Sequence, residues 1–461
     1  MESSYGSDDG CYKYIMSYKI VFRNELQYTV RNRTIHAIAK DIFSTLLVLL
    51  PILDIYSLNI VARRIGLGTL ITFAYGALLM MMMRKKNRIA NRESIRALWM
   101  YYGFGVAVTL LVAFTSSVDT LTLSIVMMLF YIIILVFFSP KFLNIKMFEK
   151  IYHTVVFAAC IYLLLQHFFF YVFHIALSCV LPSVPLFSIP IESSSFISSY
   201  KAGVLSNTTR MSSFFTEPAH LALYVVPYIC ILLFSKSRKR NVVQAVFISF
   251  CVILSRSSLG IAMMFLTWLL WSFHSLTVRK ESGSKRARNS LYVIVIGAPF
   301  VIFTVIYMYN VNQSFRFAID RILAVINGQS DSSSALRITR GFVLFSQFDF
   351  INKLIGVGFG NVGLLNRLYR FSDIYEAQFV MDNAVGYMSG ISRLFYSTGI
   401  IGVMLYTRFL MKVARNSGFL IKNLILVIAM ALFASDTLFS TYSTLWLSIC
   451  VFCSSNEIRE L

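Results

Sequence analysis

Twelve apolar segments recur along the 461 residues of this chain, separated by polar stretches. They cover residues 42–60, 65–83, 97–114, 118–138, 151–173, 216–234, 242–254, 257–275, 291–309, 386–408, 419–435 and 438–453. A helix needs about 20 apolar residues to cross the hydrocarbon core of a membrane. Most segments meet that length, whereas 242–254 and 438–453 are short enough to be half-helices or tilted hairpin arms. The sequence therefore predicts an all-α polytopic membrane protein with about 12 transmembrane helices.

The overall composition supports this class and excludes others. Hydrophobic residues make up 57% of the chain and charged residues 14%, against about 45–50% and 25% in soluble domains. A soluble fold could not bury so much apolar surface, which excludes an ordinary globular enzyme and a disordered chain. The net charge of +21 comes from basic residues that lie mostly in short stretches between apolar segments. Such placement is a topology signal, so we expect no nucleic-acid partner.

The positions of the basic residues also predict an orientation. When the N-terminus is placed in the cytoplasm, most Lys and Arg residues fall on the cytoplasmic side, as the positive-inside rule requires. Both termini are therefore expected in the cytoplasm. The pair Arg63 and Arg64 is the exception, because it falls in an outer hairpin.

The predicted topology divides the chain into seven parts. They are a cytoplasmic N-terminal segment (1–41), transmembrane helices one to five (42–181), an extracytoplasmic loop (182–215), helices six to nine (216–309), a large extracytoplasmic loop (310–385), helices ten to twelve (386–453) and a cytoplasmic tail (454–461). Loops longer than about 15 residues are usually functional or disordered. Phe342, Phe345 and Phe348 belong to an amphipathic pattern in the large loop. We therefore expect this loop to be partly helical, to fold against the helices and to contribute to catalysis.

The first candidate site lies in the run from Arg210 to His220. Pro218 suits the first turn of a helix, and Glu217 and His220 are spaced i, i+3 and so share a helical face. A carboxylate beside an imidazole at a membrane surface can activate a hydroxyl group. The alternative is an interfacial capping pair without chemistry.

Three further arginines are candidates for binding an anion. Arg256 lies between two apolar segments at the start of a helix, where an Arg fork suits a diphosphate. The alternative for Arg256 is a snorkelling side chain that anchors the hairpin. Arg337 and Arg340 in the large loop share a helical face, and two like charges repel unless an anion lies between them. A solvated face is the alternative for this pair.

A glycine cluster and an acidic residue complete the candidates in the large loop. Gly356, Gly358 and Gly360 include a literal GxGxxG pattern, but no βαβ unit surrounds it. These glycines are expected to allow a tight turn and a close approach of the backbone. Asp382, just before the tenth segment, could serve as acid or base, bind sugar hydroxyls, or cap the helix.

The remaining polar residues within the apolar segments suggest no metal site. His167 and His174 lie seven residues apart on one helical face without carboxylate partners, and we interpret them as core or interfacial histidines. Asp54 and Asp436 lie near the ends of segments. The cysteines show no disulfide or zinc spacing. The sequence thus predicts neither a metal nor another cofactor.

The order of these motifs resembles the O-antigen polymerase and O-antigen ligase superfamily. The matching pieces are Arg210-x-x-x-Phe214-Phe-x-Glu217-Pro218, Leu254-Ser-Arg256-Ser-x-x-Gly260, the pair Arg337 and Arg340 followed by Leu354-Ile-Gly356-x-Gly358-x-Gly360-Asn361, and Gly399-Ile-Ile-Gly402. The resemblance covers roughly residues 200–410, with compatible apolar segments on either side. Each motif is weak alone, and their shared order makes the set more specific.

The resemblance implies a metal-independent glycosyltransferase of the bacterial inner membrane. Such an enzyme joins oligosaccharides linked to undecaprenyl diphosphate, its donor and acceptor, on the periplasmic side, and a chain-length regulator protein is a further expected partner. Carried over by position, the diphosphate-binding set is Arg210, Arg256, Arg337 and Arg340. The catalytic candidates are Glu217, His220 and Asp382.

One departure from the family pattern separates the functional alternatives. Many relatives, the ligases in particular, carry a His near the end of the large loop, whereas this sequence has none after His274. Asp382 stands in that region instead. The resemblance therefore favours a repeat-unit polymerase over a ligase that moves finished glycan to another acceptor, and it leaves the base open between Glu217 and Asp382. A flippase or transporter for lipid-linked sugar is the alternative from a different class.

Overall fold

A computed structural model shows a chain that is helical over most of its described length. The structure describes residues 36–60, 63–82, 92–115, 128–179, 194–206, 210–235, 240–282, 306, 309–310, 316, 320, 342, 345–359, 389–415 and 417–455. Within these ranges the helices are α1 His36–Leu53, α2 Leu67–Met82, α3 Arg92–Thr115, α4 Met128–Phe142, α5 Ile145–Phe173, α6 Ser194–Leu205, α7 Pro218–Phe234, α8 Arg240–Leu254, α9 Ser258–Ser282, α10 Phe350–Ile355, α11 Gly390–Arg415, α12 Phe419–Ala434 and α13 Thr441–Ser455. Two strands, β1 Ser57–Ile60 and β2 Arg63–Gly66, pair antiparallel between α1 and α2.

The described helices confirm an all-α membrane protein in its main features. Five of them, in α1, α3, α5, α9 and α11, are long and apolar enough to cross a membrane. On α5, Ile161, Leu165 and Phe168 expose large apolar side chains along one face, which suits contact with lipid. Helices occupy eleven of the twelve predicted segments wholly or in part, and 291–309 lies almost entirely outside the described residues. The number of spans stays a prediction.

The first predicted segment, 42–60, differs from the structure at its end. Helix α1 stops at Leu53, and β1 begins four residues later. The carboxylate of Asp54 accepts hydrogen bonds from Thr69 N at 2.7 Å and Thr69 Oγ1 at 2.8 Å, which joins the end of α1 to the first turn of α2. Asp side chains compete with the helical backbone for such bonds and favour turns. The expectation of a purely α-helical chain is therefore corrected by one short hairpin.

Helix α7 lies at the centre of the described helices. Every residue from Leu221 to Leu233 is buried, and α7 packs against α5, α8, α9, α12 and α13. Two tyrosines tie it to its neighbours, because Tyr152 Oη donates to the carbonyl of Tyr224 and Tyr224 Oη donates to the carbonyl of Val48 at 3.0 Å. The start of α7 and the residues before it are thereby held in a fixed place at one end of the bundle.

Helix α11 contains a kink at Gly399, where the backbone has φ 60° and ψ −167°. The kink removes the helical partners of two preceding carbonyls, those of Tyr396 and Ser397. They accept instead from the backbone N–H groups of Val357 at 2.9 Å and Gly358 at 2.8 Å. A buried carbonyl needs such a partner, so the segment after α10 completes the hydrogen bonding of α11 at the kink.

We expect Gly399→Ala to push helix α11 and the segment after α10 apart at the kink. A Cβ at Gly399 would lie 2.3 Å from the carbonyl oxygen of Leu354, and the positive φ adds strain for any residue with a side chain. The free energy of unfolding should fall by about 2 kcal/mol, in the range of strained backbone conformations. A thiol-reactive dye that reports exposure of the buried cysteines on heating would measure the change.

Gly103→Ala in α3 is the matched control. A Cβ at Gly103 meets no atom within 4 Å, and Ala favours a helix over Gly by about 1 kcal/mol. This variant should be at least as stable as the wild type. Equal stability of the Gly399→Ala protein and the wild type would contradict the backbone contact described above.

Candidate functional site

The segment from Arg210 to Glu217 is fixed by a buried glutamine on α5. Gln166 is 1% exposed, and its side-chain amide donates to the carbonyls of Ser213 at 3.0 Å and Ser178 at 3.1 Å. Its Oε1 accepts from the backbone N–H of Ser213 at 2.8 Å. Ser213 has φ 59°, and its hydroxyl donates to the carbonyl of Ala159. These bonds pair the backbone groups of a tight turn, which would otherwise be buried without hydrogen-bond partners.

Arg256 lies between α8 and α9, at the tip of the hairpin that these two helices form. Its backbone is left-handed, with φ 53°. Ser257 caps α9, because its hydroxyl accepts from the N–H of Gly260 at 3.2 Å. Left-handed backbone is uncommon for residues other than Gly, Asn and Asp and is enriched at functional sites.

The left-handed turn directs the carbonyl of Arg256 toward Arg210. Arg210 Nη1 donates to that carbonyl at 2.9 Å, and Arg256 Nη2 donates to Tyr171 Oη at 3.3 Å. Both arginines line one small pocket, which we call the arginine pocket. Its lining residues are His167, Phe170, Tyr171, Val204, Arg210, Met211, Leu254 and Arg256.

The electrostatics of the arginine pocket favour an anion. Arg210 and Arg256 come from separate parts of the chain, yet both line the same small space, and none of the described lining residues carries a carboxylate. Both guanidinium groups contribute positive charge to this space. They also suit phosphate oxygens, to which they donate in a fork geometry.

The start of α7 holds a second group of polar residues. Pro218 begins the helix and Glu217 precedes it in an extended conformation, with its side chain exposed, in agreement with the predicted helix start. A hydrogen bond of 2.7 Å joins His220 Nδ1 to Thr216 Oγ1, and the ring of His220 stacks on Tyr442 at 5.5 Å. The sequence predicted a carboxylate–imidazole pair, whereas the hydrogen bond that the structure gives this Nδ1 is to a threonine hydroxyl.

Two carboxylates lie near Tyr442. The charges of Glu217 and Asp54 both act on its hydroxyl group. Burial raises the pKa of the Asp54 carboxyl to about 6, although hydrogen bonds from Thr69 and Gly68 lower it in part. Sequence analysis placed Asp54 only near the end of a segment.

The structure describes some of the candidate residues that were predicted in the large loop, and others lie outside the described residues. Gly356 has φ 77° and Gly358 has φ 87°, and a Cβ at Gly356 would lie 2.5 Å from the backbone of Thr398. Both glycines thus have backbone conformations that favour glycine, and Gly356 lies in close contact with the backbone of α11. Four further candidates lie outside the described residues, namely Arg337, Arg340, Gly360 and Asp382.

The aromatic residues of this loop also contact the helices where the structure describes them. The rings of Phe342 and Phe345 lie 5.6 and 5.1 Å from the ring of Phe395 on α11. Phe359 packs on Tyr102, and its backbone N–H donates to Thr109 Oγ1 at 2.8 Å. The described part of the loop is therefore packed on α3 and α11.

Three residues of α5 contribute to the site without having been predicted from the sequence. Gln166 fixes the turn before α7, while His167 and Tyr171 line the arginine pocket. A polar amide in the middle of a long apolar segment was the available signal, since such groups are costly in a membrane. Nothing in the spacing of the sequence indicated that α5 faces Arg210 and Arg256.

The fold and site define an α-helical membrane protein with a paired-arginine pocket at one end of its helices. A comparison with models of known protein families found no match, and a comparison with curated proteins found none. Among the described residues, no group of three His, Cys, Asp or Glu side chains could hold a metal ion.

Proposed function

We propose that this protein is a polysaccharide polymerase of the bacterial inner membrane. It transfers a growing glycan from polyprenyl diphosphate to an incoming lipid-linked repeat unit, at the periplasmic face. The proposal rests on the motif resemblance and on one structural observation. That observation is the convergence of Arg210 and Arg256 on a single pocket.

The proposed reaction needs stabilisation of a diphosphate leaving group. The bond between the anomeric carbon and the diphosphate oxygen breaks, and its electron pair goes to the diphosphate. Positively charged donors that are already in place stabilise such developing charge without reorganisation. Arg210 and Arg256 would bind the diphosphate, and Arg337 and Arg340 are proposed to complete the set.

The second half of the reaction forms a bond to the acceptor. A hydroxyl oxygen of the incoming repeat unit attacks the anomeric carbon, and its proton passes to a base. Glu217 is our proposed base among the described residues, because its exposed carboxylate adjoins the same turn that carries Arg210. Asp382 remains the alternative base.

The location of the arginine pocket suits a lipid-linked substrate. Helix α5 lines it with Phe170 and Tyr171, and the same end of α5 exposes Val172 and Phe173. A polyprenyl chain must stay in lipid while its diphosphate reaches the enzyme. A charged pocket beside exposed apolar side chains meets both needs.

Deletion of the gene and complementation with Arg256→Ala tests the proposal. We expect the deletion strain to carry single repeat units in place of a glycan ladder on a gel. The wild-type gene should restore the ladder, whereas Arg256→Ala should lower polymer formation by about 100-fold, as loss of one preorganised donor does in other enzymes. Equal membrane levels of both proteins are the necessary control.

Other results would point to other functions. Full-length polymer that stays on the lipid carrier would indicate a ligase. Repeat units confined to the cytoplasmic leaflet would indicate a flippase. A normal ladder in the deletion strain would contradict all three functions.

A further inference from the structure

The second half of α11, after the kink at Gly399, exposes a stripe of side chains that combines apolar and charged residues. The stripe consists of Ile401, Met404, Arg408, Met411 and Arg415, all of which are exposed. Their spacing alternates between three and four residues, so they lie on one face of the helix. Helix α11 is long and apolar enough to cross a membrane. The apolar members of the stripe suit contact with lipid, whereas the two arginines need a different explanation.

Arg408 is the member of the stripe that its place in the helix explains least. Arg415 lies in the last turn of α11, where the helix dipole favours a cation. Arg408 lies about two turns earlier, between Met404 and Met411 on the same face. A charged side chain at a lipid-facing position is costly unless its stem lies along apolar surface and its charge reaches the headgroups. The position of Arg408 therefore indicates a partner in the headgroup layer.

The charges at this end of α11 are not balanced within their own group. Lys412 Nζ lies 2.6 Å from Glu93 Oε2, in the first turn of α3. The charges of Arg408 and Arg415 also act on Glu93, so three cations surround one carboxylate. Neither arginine forms an ion pair within the part of the chain that the structure describes. The group formed by Arg408, Lys412 and Arg415, which we call the cationic group, thus has two positive charges more than its carboxylate can neutralise.

We propose that the cationic group binds the headgroup of an anionic phospholipid, whose acyl chains lie along the exposed apolar side chains of α11. Guanidinium groups donate to phosphate oxygens in a fork geometry. Basic residues at the cytoplasmic ends of transmembrane helices attract anionic lipids, and the predicted orientation places this end of α11 in the cytoplasm. A soluble phosphate would neutralise the cations but would leave Met404 and Met411 uncovered. The inference uses neither the arginine pocket nor the large loop, so it does not depend on the proposed function.

The consequence of such a site concerns the position of α11. The part of the helix before the kink is held by the backbone N–H groups of Val357 and Gly358. After the kink, the ion pair of Lys412 with Glu93 is largely exposed and contributes little. A lipid that bridges three cations adds a contact there, and its occupancy depends on the composition of the membrane.

Native mass spectrometry of the purified full-length protein tests the proposal. The protein, in detergent, is mixed with phosphatidylglycerol or with phosphatidylethanolamine at equal concentrations. We expect the wild type to bind the anionic lipid about tenfold more tightly than the zwitterionic one. Arg408→Gln should weaken binding of phosphatidylglycerol by about fivefold, as loss of one basic residue near an anionic membrane surface does. Its binding of phosphatidylethanolamine should stay unchanged.

Two controls accompany this variant. Lys150→Gln removes one positive charge from an exposed position near the start of α5, which the predicted orientation also places in the cytoplasm. It should bind phosphatidylglycerol as the wild type does. Glycerol 3-phosphate presents the phosphate without acyl chains, and it should not displace phosphatidylglycerol at an equal concentration. Thermal unfolding of each variant shows that it is folded.

Four results would overturn the inference. Equal binding of the two phospholipids by the wild type would show that there is no site for an anionic lipid. Unchanged binding in Arg408→Gln would remove the arginine from it. Equal losses in Lys150→Gln and Arg408→Gln would show that the lipid responds only to total charge, and displacement by glycerol 3-phosphate would assign the cationic group to a soluble phosphate. All four leave the proposed function intact, because the glycan ladder tests that function separately.

Discussion

Replacing Gln166 by Leu should destabilise the protein by about 3 kcal/mol or more. The change keeps most of the side-chain volume but leaves the N–H and carbonyl of Ser213 without partners in the interior. Each buried group left unpaired costs about 1–3 kcal/mol. The carbonyl of Ser178 loses one donor but keeps a second, from Tyr162 Oη at 2.8 Å. We therefore assign the expected loss to Ser213.

The measurement is thermal unfolding in detergent, followed by a dye that reacts with the buried cysteines as they become exposed. Leu165→Met is the matched control, because this neighbour on α5 is 42% exposed and faces away from the turn. It should unfold at the temperature of the wild type. A Gln166→Leu protein that unfolds together with this control would show that the turn before α7 does not depend on the glutamine.

Loss of this turn should also affect binding of the anion. Arg210 precedes Ser213 by three residues, so its guanidinium can reach the carbonyl of Arg256 only while the turn is intact. Pyrophosphate binding should therefore fall in Gln166→Leu below its unfolding temperature. Such a result would distinguish a positioning role of Gln166 from a role in general stability.

The fold was predictable from the sequence where its determinants are local. The length and polarity of the apolar segments predicted helices close to where the structure has them, and Pro218 indicated the start of α7. Arg256 separates two apolar segments of the sequence, and in the structure it lies between α8 and α9. In each case a few consecutive residues contain the whole signal.

The rest of the site depends on pairings between residues distant in sequence. Gln166 contacts Ser213 across 47 positions, and Arg210 contacts Arg256 across 46 positions. No spacing rule within a helix or strand encodes such contacts. The same holds for His167, which lines the arginine pocket together with Arg210 and Arg256.

The hairpin after α1 is a further difference between the sequence prediction and the structure. Residues 57–60 belong to the first predicted apolar segment, yet they form a strand. The carboxylate of Asp54 binds the start of α2, which requires the chain to turn back at that point. A long-range hydrogen bond thus overrides the local hydrophobic pattern.

The second substitution with a large expected loss of stability concerns the ion pair that joins α11 to the loop before α13. Arg393 Nη1 lies 2.8 Å from Asp436 Oδ2, and the two side chains are only 19% and 16% exposed. The backbone N–H of Gly390 also donates to the carbonyl of Ser435, at 2.9 Å. These contacts hold the first turn of α11, which follows the large loop. We expect Arg393→Leu to cost about 3 kcal/mol, because it leaves the carboxylate of Asp436 in a largely buried place without its cation.

The double variant Arg393→Leu with Asp436→Leu distinguishes two quantities. One is the cost of leaving a single charge without its partner, and the other is the net contribution of the ion pair to stability. Well-packed apolar residues often replace a buried ion pair at little cost, so we expect the double variant to regain much of the stability that the single variant loses. Thermal unfolding of the four proteins in a double-mutant cycle gives the coupling. Additive losses would show that the two charges do not depend on each other.

The ion pair between Lys412 and Glu93 is the internal control for this cycle. Its atoms are as close, at 2.6 Å, but its side chains are 26% and 75% exposed. Water screens exposed charges and already solvates each of them, so such pairs contribute little to stability. Lys412→Leu should therefore leave the unfolding temperature nearly unchanged. If it costs as much as Arg393→Leu, burial is not the reason for the effect at Arg393.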